Sequence, residues 1–189
     1  MKNITYGYEN RIIYLVIGIC FAIFSPLSLL FVPQTVAEIV HYKPEIWHIF
    51  VPKSALYLYG VGYLLLVLSM LILFLLYNRK VSITLSVLCI ILSFAPFFVA
   101  SQANTSISNN SISHTPLFNL QSHTYKWDEI EKINYYKNEE AGVKNEYEIF
   151  FRDGFILKLP ENGYFNDIKL FFYAKLDEIN LEVTEIELN

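Results

Sequence analysis

Charge is what this sequence lacks first. No Asp, Glu, Lys or Arg occurs in Ile12–Val32, in Ala55–Tyr77 or in Val81–Ala100. Cysteine is scarce too. Cys20 and Cys89 are the only two, and both lie inside those apolar runs, which excludes a disulfide framework and any CxxC metal or redox motif. The sequence contains no Gly-rich phosphate loop, nucleophile elbow or HExxH. Basic residues are outnumbered, 14 against 18 acidic, for a net charge of −4. Nucleic acid is therefore not an expected partner, because phosphate binding needs a basic patch. No ionisable group of this kind sits within the runs, which argues against a proton relay or a polar translocation path.

What is present is apolar and unevenly distributed. Hydrophobic residues make up 54% of the 189-residue chain, and the mean hydropathy is +0.36. The run Ala55–Tyr77, 23 residues, is about 34 Å long as a helix and matches a bilayer core of about 30 Å. Residues 1–100 carry six Lys/Arg and three Glu, net +3, whereas residues 101–189 carry eight Lys/Arg and fifteen Asp/Glu, net −7. This split predicts two physical environments: a membrane domain over 1–100 and an acidic, water-facing domain over 114–189.

The expected membrane helices are 12–32, 55–77 and 81–100. In the first, Pro26 frees the carbonyl of Ala22, and Ser25 is placed to donate to it. Pro33, Pro44 and Pro52 divide 33–54, so this loop is expected to lie at the membrane surface rather than form one helix. His41 and His48 within it read as interfacial histidines. Tyr57, Tyr59 and Tyr63 mark one end of the second helix and Tyr77 the other, as an aromatic belt does. The connector Asn78-Arg79-Lys80 is short enough to make an antiparallel helix pair. Ser82, Ser86, Cys89 and Ser93 recur every three or four residues and form a small-residue stripe for helix packing. Lys2, Arg11, Arg79 and Lys80 fall on one side of the membrane, and Lys43 and Lys53 on the other. The cation excess places the N-terminus in the cytoplasm and the C-terminal domain outside it, in a multi-pass cell-membrane protein.

Residues 101–113, rich in Ser and Asn, read as a linker. Beyond it, 112–120 carries a weak strand signal. Tyr125 and Trp127 alternate like strand residues, while Ile130 and Ile133 have helical spacing. A strand end and polar turn with Glu139, Glu140 and Gly142 follow. Glu146–Leu159 is the clearest unit: Tyr147, Ile149 and Phe151 alternate with Glu146, Glu148 and Phe150, Asp153-Gly154 supplies a hairpin turn, and Phe155, Leu157 and Leu159 resume the alternation. A helix is expected from Asn166 as cap to Asn180, with Ile168, Phe171, Phe172, Leu176 and Ile179 as its apolar stripe. A short strand with Leu181 and Val183 on one face ends the chain. The fold class is three transmembrane helices followed by a small antiparallel α+β domain with a closing helix.

Tyr125-x-Trp127-x-x-Ile130-x-x-Ile133, the Phe150-Phe151-Arg152-Asp153-Gly154 hairpin with Phe155-x-Leu157-x-Leu159, and the amphipathic helix after them together resemble the bacterial pleckstrin-homology-like domains of small Gram-positive membrane proteins. The resemblance covers about residues 112–180. It implies a membrane-tethered binding or regulatory role. The inositol-phosphate ligand of eukaryotic relatives does not carry over, because the clustered Lys/Arg it needs near the first hairpin are missing.

Asp128, Glu129, Glu131, Glu139, Glu140, Glu182, Glu185 and Glu187 read as solvated carboxylates, since nothing in their spacing selects a catalytic pair. His114 and His123 lie close in sequence without a metal-ligand pattern. No catalytic, cofactor-binding or metal residues are assigned. Tyr135, Tyr136, Tyr164 and Phe165 are the candidates for a partner surface. The expected function is non-enzymatic: the outer domain binds a protein, senses the envelope or regulates, as an immunity or accessory factor does, with membrane lipid as the other partner. An accessory transporter subunit is the alternative, and a membrane-bound enzyme the third reading.

Overall fold

The computed structural model describes residues 2–76, 80–119, 121–138 and 145–188. Tyr77, Asn78, Arg79, Leu120, Glu139, Glu140 and Gly142 lie outside the described residues, so the short connector, the far end of the aromatic belt and the polar turn do too. The chain divides into two compact units: one made of residues up to 41, 51–104 and 116–120, the other of 42–50, 105–115 and 121–189.

The first unit is three helices: α1 (Lys2–His41), α2 (Lys53–Leu76) and α3 (Lys80–Gln102). All three are long and apolar enough to cross a membrane. α1 departs from expectation, running unbroken through Pro26 and Pro33 to His41. Each proline removes one backbone hydrogen bond, whereas ending a helix there would orphan about four N–H and four C=O groups. In apolar surroundings the smaller loss wins. Ser25 Oγ donates to the Ala22 carbonyl freed by Pro26, at 3.2 Å. α2 and α3 pack through small residues. A Cβ at Gly62 would lie 2.7 Å from the Phe97 ring. Ser82, Ser86, Cys89 and Ser93 all lie buried on one face of α3. At one end of the bundle the Arg11 Nε donates to the Phe74 carbonyl at 2.8 Å, and the guanidinium lies 4.7 Å over the Phe74 ring. Phe74 is in the last turn of α2, where a cation satisfies an orphan carbonyl and the helix dipole together.

Among the described residues the second unit holds two four-stranded sheets and one α-helix. The first sheet has the order β1 (Ile46–Phe50), β2 (Asn104–Ser108), β3 (Ser111–Thr115), β4 (His123–Lys126). The segment expected to lie on the membrane surface thus supplies an edge strand. β1 pairs antiparallel with β2, His48 opposite Ile107 and Phe50 opposite Thr105. The expected linker is likewise replaced by strands: residues 104–108 are all buried. Ser and Thr side chains there find partners, as Ser108 Oγ does at the Ser111 carbonyl, 2.8 Å away.

The second sheet has the order β7 (Ile156–Pro160), β6 (Glu146–Phe151), β5 (Ile130–Asn138), β8 (Val183–Leu188). Ile130 and Ile133 belong to this strand rather than to a helix. β8 pairs parallel with β5, Ile133 opposite Val183. The Asp153-Gly154 turn is as expected, with Gly154 at φ +87° and the Phe155 N–H donating to the Asp153 carboxylate at 2.9 Å. The helix α4 (Gly163–Glu178) starts one turn earlier than expected, capped by Asn162 Oδ1, which accepts from the Phe165 N–H at 2.9 Å.

One core joins these elements. It contains Trp127, Ile133, Tyr147, Ile149, Phe151, Leu157, Leu159, Phe165, Ile168, Phe172 and Leu176. Phe171, expected within the helix stripe, is 58% exposed instead. The Trp47 ring of β1 lies tilted, 5.8 Å from both Trp127 and Phe171. The buried Trp127 Nε1 donates to the Ser108 carbonyl at 3.1 Å.

Candidate functional site

Side chains alternate along a strand, so the second sheet has an inner and an outer face. Tyr147, Ile149 and Phe151, with Leu157 and Leu159, fill the core on the inner face. The register then assigns Tyr136, Glu146, Glu148, Phe150, Ile156, Lys158 and Ile186 to the outer one: Tyr136 opposite Glu146 and Ile186, Glu148 opposite Lys158, Phe150 opposite Ile156. Ile156 is 44% exposed. Charges bracket the apolar groups. Lys158 Nζ contacts Glu148 at 2.6 Å and Glu146 at 3.7 Å, and Lys132 Nζ lies 4.4 Å over the Phe150 ring. The Lys158 contact holds the Glu148 carboxyl below its ordinary range, and Tyr136 contributes a hydrogen bond in the same direction. Aromatic and aliphatic surface set among fixed charges is suited to protein recognition, where aromatic anchors supply area and the polar rim supplies orientation.

The four residues expected to share a partner surface fall into different environments. Tyr136 is on the outer face just described. Tyr135, its neighbour on β5, turns inward, its ring tilted against Tyr147 at 4.6 Å. Its hydroxyl donates to Glu161 Oε2 at 2.6 Å. Tyr164 is exposed at the start of α4 and stacks 5.1 Å from His48. Phe165 is fully buried in the core and forms no part of a surface. Adjacent residues on a strand point oppositely, and adjacent residues on a helix are about 100° apart, so neither pair shares a face.

Beneath the sheet a carboxylate network ties the α4 entry to β5. Glu161 accepts from Tyr135, from Asn145 Nδ2 at 2.9 Å, and from Lys169 Nζ at 2.7 Å. Burial alone would raise the Glu161 carboxyl, but the Lys169, Tyr135 and Asn145 hydrogen bonds outweigh it and hold it at about 2. Burial and the bond to Glu161 push Tyr135 up to about 12. Burial, with Tyr173 at 3.1 Å, raises Tyr147 as well. These groups are mutually satisfied, which fits a structural role.

The histidines have separate engagements. His41 Nε2 is 2.9 Å from the Ser101 carbonyl, joining the ends of α1 and α3. His114 and His123 face each other across the β3–β4 ladder. His114 Nδ1 lies 2.9 Å from Thr105 Oγ1, and burial followed by the nearby His123 lowers its proton affinity. Among the described residues, no group of three or more His, Cys, Asp and Glu is arranged to hold a metal ion. Two hydroxyls of the serine stripe bond within the chain, while the buried Ser86 Oγ has no partner among the described residues. Ser82 Oγ donates across to the Ile72 carbonyl at 3.2 Å, and Ser93 Oγ to its own helix at 2.6 Å. Of the outer-face residues only Tyr136 is a candidate from the sequence; Lys132, Glu146, Glu148, Phe150, Ile156, Lys158 and Ile186 are not. Strict alternation after the Asp153-Gly154 turn marks Ile156 as outward. Lys132 and Ile186 become legible only once the neighbouring strands are known.

No family model matches this chain, and no curated protein matches it.

Proposed function

We propose that this is a non-enzymatic membrane protein that presents a small recognition domain to a protein partner through the outer face of its second sheet. The observation that carries the reading is the grouping of Tyr136, Phe150, Ile156 and Ile186 among the charges of Lys132, Glu146, Glu148 and Lys158, on a face the domain does not use for its own core. The three apolar helices are the membrane anchor. Two of them lie between β1 and β2, and a chain that crosses twice returns to the side it left, as that strand pairing requires. The Lys/Arg distribution puts that side outside the cytoplasm. The resemblance to bacterial pleckstrin-homology-like domains belongs to the same proposal, supported by antiparallel strands followed by a packed helix. A sensing, immunity or accessory role is the biological form of it. The transporter-subunit reading draws no support from the serine stripe, which is buried against the chain's own helices.

Affinity capture of the full-length chain from mild detergent after crosslinking tests this, comparing wild type with Ile156→Asp. The expected result is loss of the captured partner with unchanged folding of the domain. Equal capture by the two proteins refutes the assignment of this face.

A further inference from the structure

We propose that the turn at residues 116–119 is an interfacial lipid anchor, with Phe118 inserted at the boundary between headgroups and acyl chains. The proposal rests on the membrane reading of α1–α3.

This turn connects β3 to β4, yet it belongs to the helical unit and not to the strands on either side of it. It is tight: the Asn119 N–H donates to the Pro116 carbonyl at 3.2 Å. Leu117 points inward and packs against Ala55, Tyr59, Ala100 and Ala103. Those residues lie at the start of α2 and the end of α3, so the turn sits at the level where the spans end. Phe118, beside Leu117, is 82% exposed. A phenyl ring so uncovered is stabilised by surroundings that accept apolar surface.

Two observations select lipid. Around the same level, α2 and α3 display Tyr57, 77% exposed, and Phe98, 62% exposed. The ring is thus continuous with the apolar exterior of the spans, at the depth where aromatic residues concentrate in membranes. The surrounding chain also lacks the charged residues that cost most to bury there: from Ser101 to Tyr125 there is no Asp, Glu, Lys or Arg. A turn evolved for water beside such a surface would ordinarily carry charge.

The test is nitroxide accessibility in liposomes of phosphatidylcholine and phosphatidylglycerol, using the full chain with Cys20 and Cys89 replaced by alanine. Three single-cysteine variants are labelled: Phe118→Cys, Ile91→Cys at the middle of α3, and Asn110→Cys in the exposed β2–β3 turn. The readout is the relaxation effect of oxygen, which concentrates in lipid, relative to a water-soluble nickel chelate. The expected oxygen-to-nickel ratio at 118 lies several-fold above that at 110 and below that at 91. A ratio at 118 equal to that at 110 overturns the anchor while leaving the membrane reading intact. Shielding of 118 from both reagents also overturns it, in favour of a protein contact such as a second copy. A water-like ratio at 91 refutes the membrane reading itself, and the anchor falls with it.

Discussion

Replacing Glu161 by glutamine isolates a strongly perturbed carboxylate of the second unit. The folded carboxyl titrates at about 2, against an ordinary value of 4.5. Its folded value is depressed, so its stabilisation is complete above pH 4.5 and drains away as pH falls toward about 2. The gap between those values corresponds to about 3 kcal/mol. Lys169, the cationic partner, keeps 40% of its side chain exposed while Glu161 keeps 15%. Solvent screening at that end brings the usable contribution to about 1–2 kcal/mol. Glu161→Gln retains the shape and an acceptor for Tyr135 but has no proton to gain. Urea unfolding of the full chain in mild detergent, read by the fluorescence of the buried Trp127 and by hydrogen exchange at Ile149, supplies both stabilities. Other carboxylates titrate equally in both proteins and cancel in the difference. The variant is expected to be less stable than wild type by about 1–2 kcal/mol at neutral pH, and this deficit should shrink below about pH 4.5 and close only as pH falls through about 2. Parallel pH profiles for the two proteins would refute the assignment of this acid-labile stability to Glu161.

Four further outcomes follow from the packing. Gly62→Val places side-chain atoms inside the Phe97 ring contact, where even a Cβ would stand at 2.7 Å; it should weaken the α2–α3 pair by about 1–3 kcal/mol in detergent unfolding followed by circular dichroism. Gly60→Ala, whose Cβ would meet only Leu29 at 4.0 Å, should be near neutral in the same assay. Arg11→Ala removes the donor 2.8 Å from the Phe74 carbonyl and the cation over its ring, and should cost about 1–2 kcal/mol of helix-bundle stability, with Arg11→Lys restoring only part. Phe172→Ala empties the centre of the second unit, where the ring lies 5.3 Å from Phe165 and 5.8 Å from Trp127 and Tyr147; loss of about 3–5 kcal/mol is expected from urea unfolding.

The candidate site was partly legible because strand alternation is local. Glu146–Leu159 shows which side chains share a face before any partner strand is known, so Phe150 and Ile156 could be placed together from sequence. Tyr136 was singled out only as an aromatic. Its position on the outer face, opposite to Tyr135, depends on the register of β5 against β6 and β8. Phe165 illustrates the opposite failure. Tyr164 and Phe165 look equivalent in sequence, and only the start of α4 at Gly163 decides that one is exposed and the other buried.

By itself the sequence determined the three apolar helices, the Ser82–Ser93 packing stripe, the Ser25 bond beneath Pro26 and the Asp153-Gly154 hairpin. Each depends on residues within a few turns of one another, or on solvation of a single segment. Only the tertiary structure decided that Ile46–Phe50 is a strand, that residues 104–108 are its partner rather than a linker, that β8 joins β5 in parallel, and that the 116–119 turn belongs with the helices. A strand's backbone groups are satisfied by a partner that lies anywhere in the chain, here more than fifty residues away across two helices. Local pattern carries no information about that distance.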